Sequence, residues 1–199
     1  MTLETSYFDR LYEADADPWQ FRTRPYEARK RELTLAALPE RHYCTCFEPG
    51  CSIGVLTEAL AARCDHVLAM DTAAEPLRLA SQQLPENVVL QRGAVPADWP
   101  DGTFELIVLS EVAYYLDKDD CALLASRATA TELDLLAIHW RHPVAEYPIS
   151  GDEAHDLLHE AARAAGMHHL VAHREDDLRL DVWSHDTRSV AERTGVPHQ

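Results

Sequence analysis

The stretch Cys46-Phe47-Glu48-Pro49-Gly50-Cys51-Ser52-Ile53-Gly54 sets a short apolar run against a turn of small residues, and a helix-forming run continues from Gly54 to Arg63. A strand that ends in such a turn and feeds a helix is the opening unit of an open α/β sheet, in which ligands bind beyond the carboxyl ends of the strands. Outward from it the alternation repeats. Tyr43–Glu48 reads as a strand, Gly54–Arg63 as a helix, His66–Asp71 as a strand, Ala74–Gln83 as a helix and Val88–Arg92 as a strand. Phe104–Leu109, Lys118–Ala130, Leu133–Trp140 and Asp152–Ala165 continue the order strand, helix, strand, helix, with Gly166 closing the last helix. The final strands, near Leu170–His173 and Leu178–Ser184, have only Arg174-Glu175-Asp176-Asp177 between them, too few residues for a crossover helix. They must pair antiparallel. The expectation is a Rossmann-like, doubly wound α/β fold: a mostly parallel sheet, helices on both faces and an antiparallel last strand.

Ahead of this core (residues 43–186), residues 1–42 are expected to form an N-terminal helical cap: an aromatic leader holding Tyr7, Phe8, Tyr12, Trp19 and Phe21, then a helix over Pro25–Leu38. Residues 187–199 are expected as a mobile tail, giving a single domain overall. With 199 residues the chain has length for one full core and little more. Thirty-four acidic against eighteen basic side chains give a formal charge of −16, which disfavours nucleic acid and anionic membrane surfaces as partners. The N-terminus lacks the basic and apolar regions of a secretory signal, so a cytoplasmic setting is expected. Five cysteines without a C-x-x-C pair suggest neither a disulfide framework nor a zinc ribbon, and are expected as small buried hydrophobes.

Three chemistries compete for the Gly50–Gly54 turn. A dinucleotide dehydrogenase needs G-x-G-x-x-G, and the spacing here is different. A serine hydrolase is the sharper rival, because Gly50-Cys51-Ser52-Ile53-Gly54 spells G-x-S-x-G with Ser52 as nucleophile. Against it, no earlier strand exists to supply an oxyanion loop, and Asp71 would have no role. The third reading uses the whole set: Glu48 two residues before Gly50, the small-residue turn, and Asp71 ending the next strand, 17 residues after Gly54, where a carboxylate can accept ribose hydroxyls.

That set resembles motif I of the class I S-adenosylmethionine-dependent methyltransferases, E-x-G-x-G-x-G, with Ser52 in place of the middle glycine. The flanks, Ser6-Tyr7-Phe8-Asp9-Arg10-Leu11-Tyr12, Asp17-Pro18-Trp19 and Tyr26-Glu27-Ala28-Arg29-Lys30-Arg31, resemble the nodulation protein S family, as do Tyr114-Tyr115-Leu116 and Asp181-Val182-Trp183. The chain is also similar to small actinobacterial sugar O-methyltransferases of methylated-polysaccharide pathways. The resemblance implies S-adenosyl-L-methionine as cofactor, held by Glu48, Gly50, Ser52 and Gly54 at the first turn and by Asp71 and Thr72 at the second. Ala94 and Val95 would sit at the adenine and Ser110 at the methionine part, while Trp19 and Arg31 of the leader close over it. It implies a sugar or oligosaccharide acceptor.

His139, in His139-Trp140-Arg141-His142-Pro143 at the end of the fifth strand, is the expected general base, and it would favour a hydroxyl over an amine as acceptor. N-methylation of an amino sugar is the alternative on the same fold. Glu111 and Tyr115, after the fourth strand, are expected to orient acceptor or cofactor, with Tyr115 alternatively a half-buried core aromatic. His155 and His159 lie at i and i+4 on one helical face, reminiscent of a metal site, but no third ligand is evident. A solvated helix face is the expectation there, and no metal is assigned.

Overall fold

The structure is a computed structural model that describes residues 1–196. Seven strands form one sheet: β1 (Tyr43–Pro49), β2 (Cys64–Asp71), β3 (Val88–Arg92), β4 (Leu106–Ser110), β5 (Asp134–Trp140), β6 (His168–Arg174) and β7 (Leu178–Ser184). Their order is β3-β2-β1-β4-β5-β7-β6, with every pair parallel except β5–β7 and β7–β6. The chain steps outward from β1 to β3, then returns to the other side of β1 for β4. The switch point between β1 and β4 is where an open α/β sheet leaves a crevice.

Many of the expected strand and helix ends shift by one to three residues. Helix α3 runs Val55–Ala61, because Gly54 is its N-cap in the left-handed region at φ 80°. β4 starts at Leu106, where pairing to Cys46 begins, and Phe104 instead stacks on Phe47 with centroids 5.2 Å apart. Helix α4 covers Ala74–Ala80, α5 covers Lys118–Ala128, and α6 (Gly151–Ala164) is opened by a capping box between Ser150 and Glu153.

Strand alternation divides the core in two. Phe47, Ile107, Leu109, Leu135 and Ala137 pack with α5 and α6 through Leu124, Ala154 and Leu158. Cys46, Val108, Leu136 and Ile138 pack on the opposite face with Leu60 of α3 and residues of α2 (Pro25–Ala37), among them Leu33. The leader folds as helix α1 (Thr5–Ala14), whose Tyr12 forms a third small cluster with Ile53 and Ala73 over the carboxyl end of the sheet.

Two expectations are corrected. Residues 187–196 are no free tail: they carry a capped helix, α7 (Val190–Arg193), whose Arg193 side chain is buried against Asp134 at 3.1 Å and also donates to Ser184 at 2.5 Å. A buried guanidinium with this many acceptors fastens the segment beneath β5; residues 197–199 lie outside the described chain. Of the cysteines, four are buried and Cys44 is exposed. Among the described residues no helix is long and apolar enough to cross a membrane.

Candidate active site

A cavity of about 520 Å³ opens over the switch point, walled by the ends of β1, β2, β4 and β5 and roofed by α1, α2 and the segment between them. Its two halves are built differently.

In the half over β1–β3 the chain presents turns. Gly50 has φ 74°, and a Cβ there would meet Val112 at 3.2 Å, so the β1–α3 turn needs glycine at that point. Ser52, at φ 52°, follows in the left-handed region. Its N–H donates to Asp71 Oδ2 at 2.8 Å while Ala73 N–H donates to Oδ1 at 3.0 Å, so two backbone bonds aim the Asp71 carboxylate along the rim. Burial pushes the Asp71 pKa up to about 6 against those bonds. Glu48 is more deeply set. Burial lifts its pKa to about 8, and its Oε2 has no hydrogen-bond partner among the described residues. Thr72, Ala94 and Val95 line the same half, and a Cβ on Gly93 would press on the Asp98 side chain at 3.1 Å.

The other half is built from side chains. Glu111, directly after β4 and at φ 57°, accepts from Lys30 Nζ at 2.7 Å, from Trp140 N–H at 3.1 Å and from the Tyr114 hydroxyl. Lys30 is also held by Glu27 at 2.8 Å. Burial lowers the Lys30 pKa, but Glu111 and Glu27 outweigh it and raise it overall, so the ammonium persists. Tyr26 packs edge-on against Trp140 at 5.5 Å, and its hydroxyl is buried with no partner. Tyr114 stacks on Tyr147 at 4.8 Å, and Tyr115, whose ring also touches Phe8 at 5.0 Å, completes an aromatic wall.

Most sequence-assigned site residues converge here. Trp19, Arg31, Glu48, Gly50, Ser52, Asp71, Thr72, Ala94, Val95, Ser110, Glu111 and Tyr115 all line the cavity. Trp19 stacks on Phe21 at 5.6 Å while facing the cavity, and Arg31 donates to the Phe21 carbonyl at 2.7 Å. Gly54 stands behind the wall and shapes the turn without touching the cavity.

His139 does not reach the cavity, and its expected role as base is corrected. It continues the row Leu135, Ala137, which faces α5 and α6, and it is fully buried. Its Nε2 accepts from Ala113 N–H at 3.0 Å and its Nδ1 lies 3.1 Å from His155 Nε2. Burial, then the nearby His155 and Lys30, hold its pKa well below the usual imidazole range. Nor is His155 on a solvated face: it is fully buried and bonded to Asp181 at 2.6 Å, while His159 accepts from Trp183 Nε1. The hydrolase reading finds no support either, because Ser52 Oγ pairs with the Tyr12 hydroxyl at 2.5 Å, where a nucleophile would need an imidazole. The sequence assigns no site role to Glu27, Lys30, Tyr26, Tyr114 or Tyr147, although all but Tyr147 stand in the stretches that carry the family resemblance. Glu27 and Lys30 look like an ordinary solvated i,i+3 pair until the fold buries them.

Comparison with known proteins agrees with the fold. The family described as nodulation protein S (NodS) matches residues 7–133. Nodulation protein S of Rhizobium tropici is 28% identical over 103 residues, 50% of this chain and 43% of its own length. The chain spans about half the length of the curated relatives it matches. A crystal structure from Pseudomonas syringae, described as a candidate methyltransferase, is 42% identical with TM-score 0.69, covering 81% of this chain and 99% of that one. The N-methyltransferase NodS of Bradyrhizobium japonicum WM9, crystallised with S-adenosyl-L-homocysteine, shares the fold at TM-score 0.75 and 19% identity, covering 90% of this chain and 97% of that one.

Proposed function

The chain belongs to the nodulation protein S family, and from that premise we propose that it is an S-adenosylmethionine-dependent methyltransferase that methylates an amine on a carbohydrate acceptor. The residues over β1–β3 fit the cofactor. Asp71 would take its ribose hydroxyls, the Gly50–Ser52 turn would let backbone approach it closely, and Ala94 and Val95 would flank its adenine. Glu48, with an oxygen left unbonded, is the buried group that a cationic or hydrogen-bonding part of that ligand would satisfy. When bound, the cofactor supplies a methyl carbon already activated by a sulfonium. The protein has then to align the acceptor, a contribution of up to about 7–11 kcal/mol, and to manage one proton.

The observation that carries the choice of acceptor is the chemistry of the second half: two carboxylates, Glu27 and Glu111, around one ammonium, Lys30, with no imidazole lining the cavity among the described residues. A hydroxyl needs a base as it attacks. An amine attacks through its own lone pair, the excess of carboxylate charge stabilises the positive charge that the methyl group brings to its nitrogen, and the proton then leaves to water. The unpartnered Tyr26 hydroxyl offers the acceptor a hydrogen bond that the protein itself does not use, and the tyrosine wall suits the apolar faces of a sugar ring. Calorimetric titration with S-adenosylhomocysteine and methyl-transfer assays on glucosamine oligomers, mannosides and glucosides test this reading. Binding of the first and methylation of amine-bearing oligomers are expected. Methylation of neutral sugars alone would return the assignment to oxygen.

A further inference from the structure

One set of buried titratable groups takes no part in that mechanism. It forms a continuous line of hydrogen bonds from β7 to the 3₁₀ turn Ala113–Tyr115, which carries two tyrosines of the cavity wall. Ala113 N–H donates to His139 Nε2 at 3.0 Å, His139 Nδ1 lies 3.1 Å from His155 Nε2, and His155 Nδ1 lies 2.6 Å from Asp181 Oδ2. Asp181 is pinned from the far side by Arg179 Nε at 2.8 Å and His169 Nε2 at 2.8 Å. His139 and His155 are 0% exposed and Asp181 2%.

The line has only one self-consistent direction. A backbone amide can only donate, so His139 Nε2 must be bare and its proton must sit on Nδ1. That proton is given to His155 Nε2, which must then also be bare, leaving the proton of His155 on Nδ1 and pointed at a carboxylate. Were His139 protonated on Nε2, two donors would face each other at 3.0 Å. Burial also holds both imidazoles below their usual pKa, which keeps them neutral and the direction intact. The tautomer of a histidine is set by the bond its other nitrogen makes, so the Ala113 amide at one end and the Asp181 carboxylate at the other impose the same order on the line.

We propose that Asp181, His155 and His139 are positioning residues forming a relay. Asp181 sets the tautomer of His155, His155 sets that of His139, and His139 fixes the Ala113 amide and packs on the Tyr114 ring at 5.2 Å, aiming Tyr114 and Tyr115 into the cavity. The effect on turnover rests on the methyltransferase reading, whereas the relay itself does not.

The test uses the full chain labelled with ¹⁵N. Long-range proton–nitrogen spectra should show both His139 and His155 protonated at Nδ1 and bare at Nε2. In Asp181→Leu the order should be lost and exchange of the Ala113 amide should quicken by about 10²-fold, while the Phe47 amide in β1 keeps its rate. Asp181→Asn retains an oxygen for His155 and should restore most of the protection. Should Asp181→Leu fail to fold, His155→Phe keeps a ring in place and removes the acceptor for His139, with the same expected result. With a glucosamine tetramer as acceptor, turnover of the relay variants should fall by about 10²-fold, the scale of a small misplacement, with the S-adenosylhomocysteine Kd within about threefold of wild type. A proton on His139 Nε2 in the wild type, or unchanged Ala113 exchange in a folded variant, overturns the relay. Correct tautomers with neither S-adenosylhomocysteine binding nor methylation of any saccharide would instead sink the methyltransferase reading and leave the relay standing.

Discussion

Ser52 and Glu111 make the same unusual backbone choice, φ 52° and φ 57°, at the rim of the same cavity and just past the ends of the neighbouring strands β1 and β4. Non-glycine residues there pay about 1–2 kcal/mol in steric strain. What each obtains for it differs. The Ser52 backbone N–H reaches Asp71, and its side chain meets only Tyr12. For Glu111 the side chain is the purpose: it gathers donors from α2, from the end of β5 and from the 3₁₀ turn. The half over β1–β3 is therefore organised by main chain and the half over β4–β5 by long side chains that meet from distant parts of the sequence.

The harshest way to probe this difference is to substitute glycine at both positions, which relieves the same strain. Glu111→Gly should be severe. It leaves the Trp140 amide and the Tyr114 hydroxyl without an acceptor and takes one of two carboxylates from a buried ammonium, so a stability loss of about 3 kcal/mol is expected in denaturant titrations. Methyl transfer should fall by at least about 10²-fold. Near-normal turnover in this variant would mean that the side-chain cluster does not organise the acceptor half.

In the other half the decisive side chain is the one that the turn aims. Asp71→Ala should weaken S-adenosylhomocysteine binding by about 2–4 kcal/mol in calorimetry, since a charged acceptor of two hydroxyls is lost. Unchanged affinity would remove Asp71 from the cofactor site.

How much of this was legible in the sequence follows the same division. The β1–β3 half is local: Glu48, Gly50 and Ser52 lie within five residues of one another, and Asp71 follows at the next strand end, so a linear motif could carry it. The other half depends on pairings such as Lys30 with Glu111, 81 residues apart, which no periodicity reveals. His139 was misassigned for a reason the sequence did contain. Leu135, Ala137 and His139 share one strand face, and an apolar row of that parity points into the core rather than at the rim. The α7 segment escaped notice because one buried arginine, rather than an apolar stripe, fastens it.

A pH experiment separates a buried carboxylate in the main-chain half from the saturated one at Glu111. The folded-state pKa of Glu48, about 8, lies above its ordinary 4.5 because of burial. Between those values the folded state binds more protons than the unfolded one, so this group's contribution to stability declines as pH rises from about 4.5 through about 8. Asp71 acts with the same sign between 3.8 and about 6. Glu48→Gln should therefore gain about 4 kcal/mol relative to wild type between pH 5 and pH 9 in paired denaturant titrations. A gap between the two proteins that stays constant with pH would mean that Glu48 is charged in the folded chain.

The smallest effect should come from Ser52→Gly, and its smallness is the point. Glycine adopts φ near 50° without cost, so relief of strain contributes about 1 kcal/mol of stability. Against that stand the lost hydrogen bond to Tyr12, worth about 1 kcal/mol, and the greater freedom of an unfolded glycine, worth about 0.5–1 kcal/mol. These terms nearly cancel. The groups that hold Asp71 survive, because the N–H of residue 52 remains whatever its side chain. Melting temperature should therefore move by no more than a few degrees, and S-adenosylhomocysteine affinity should stay within about threefold. Ser52→Ala keeps the strain and loses the hydroxyl but adds no unfolded-state freedom, so the two variants should lie within about 0.5 kcal/mol of each other, again with affinity nearly intact. A serine hydrolase would lose its nucleophile in both variants and with it several orders of magnitude in rate. If instead Ser52→Gly and Ser52→Ala weaken the cofactor analogue to a similar large extent, the hydroxyl itself contacts the ligand, and the β1–α3 turn binds by side chain as the Glu111 cluster does.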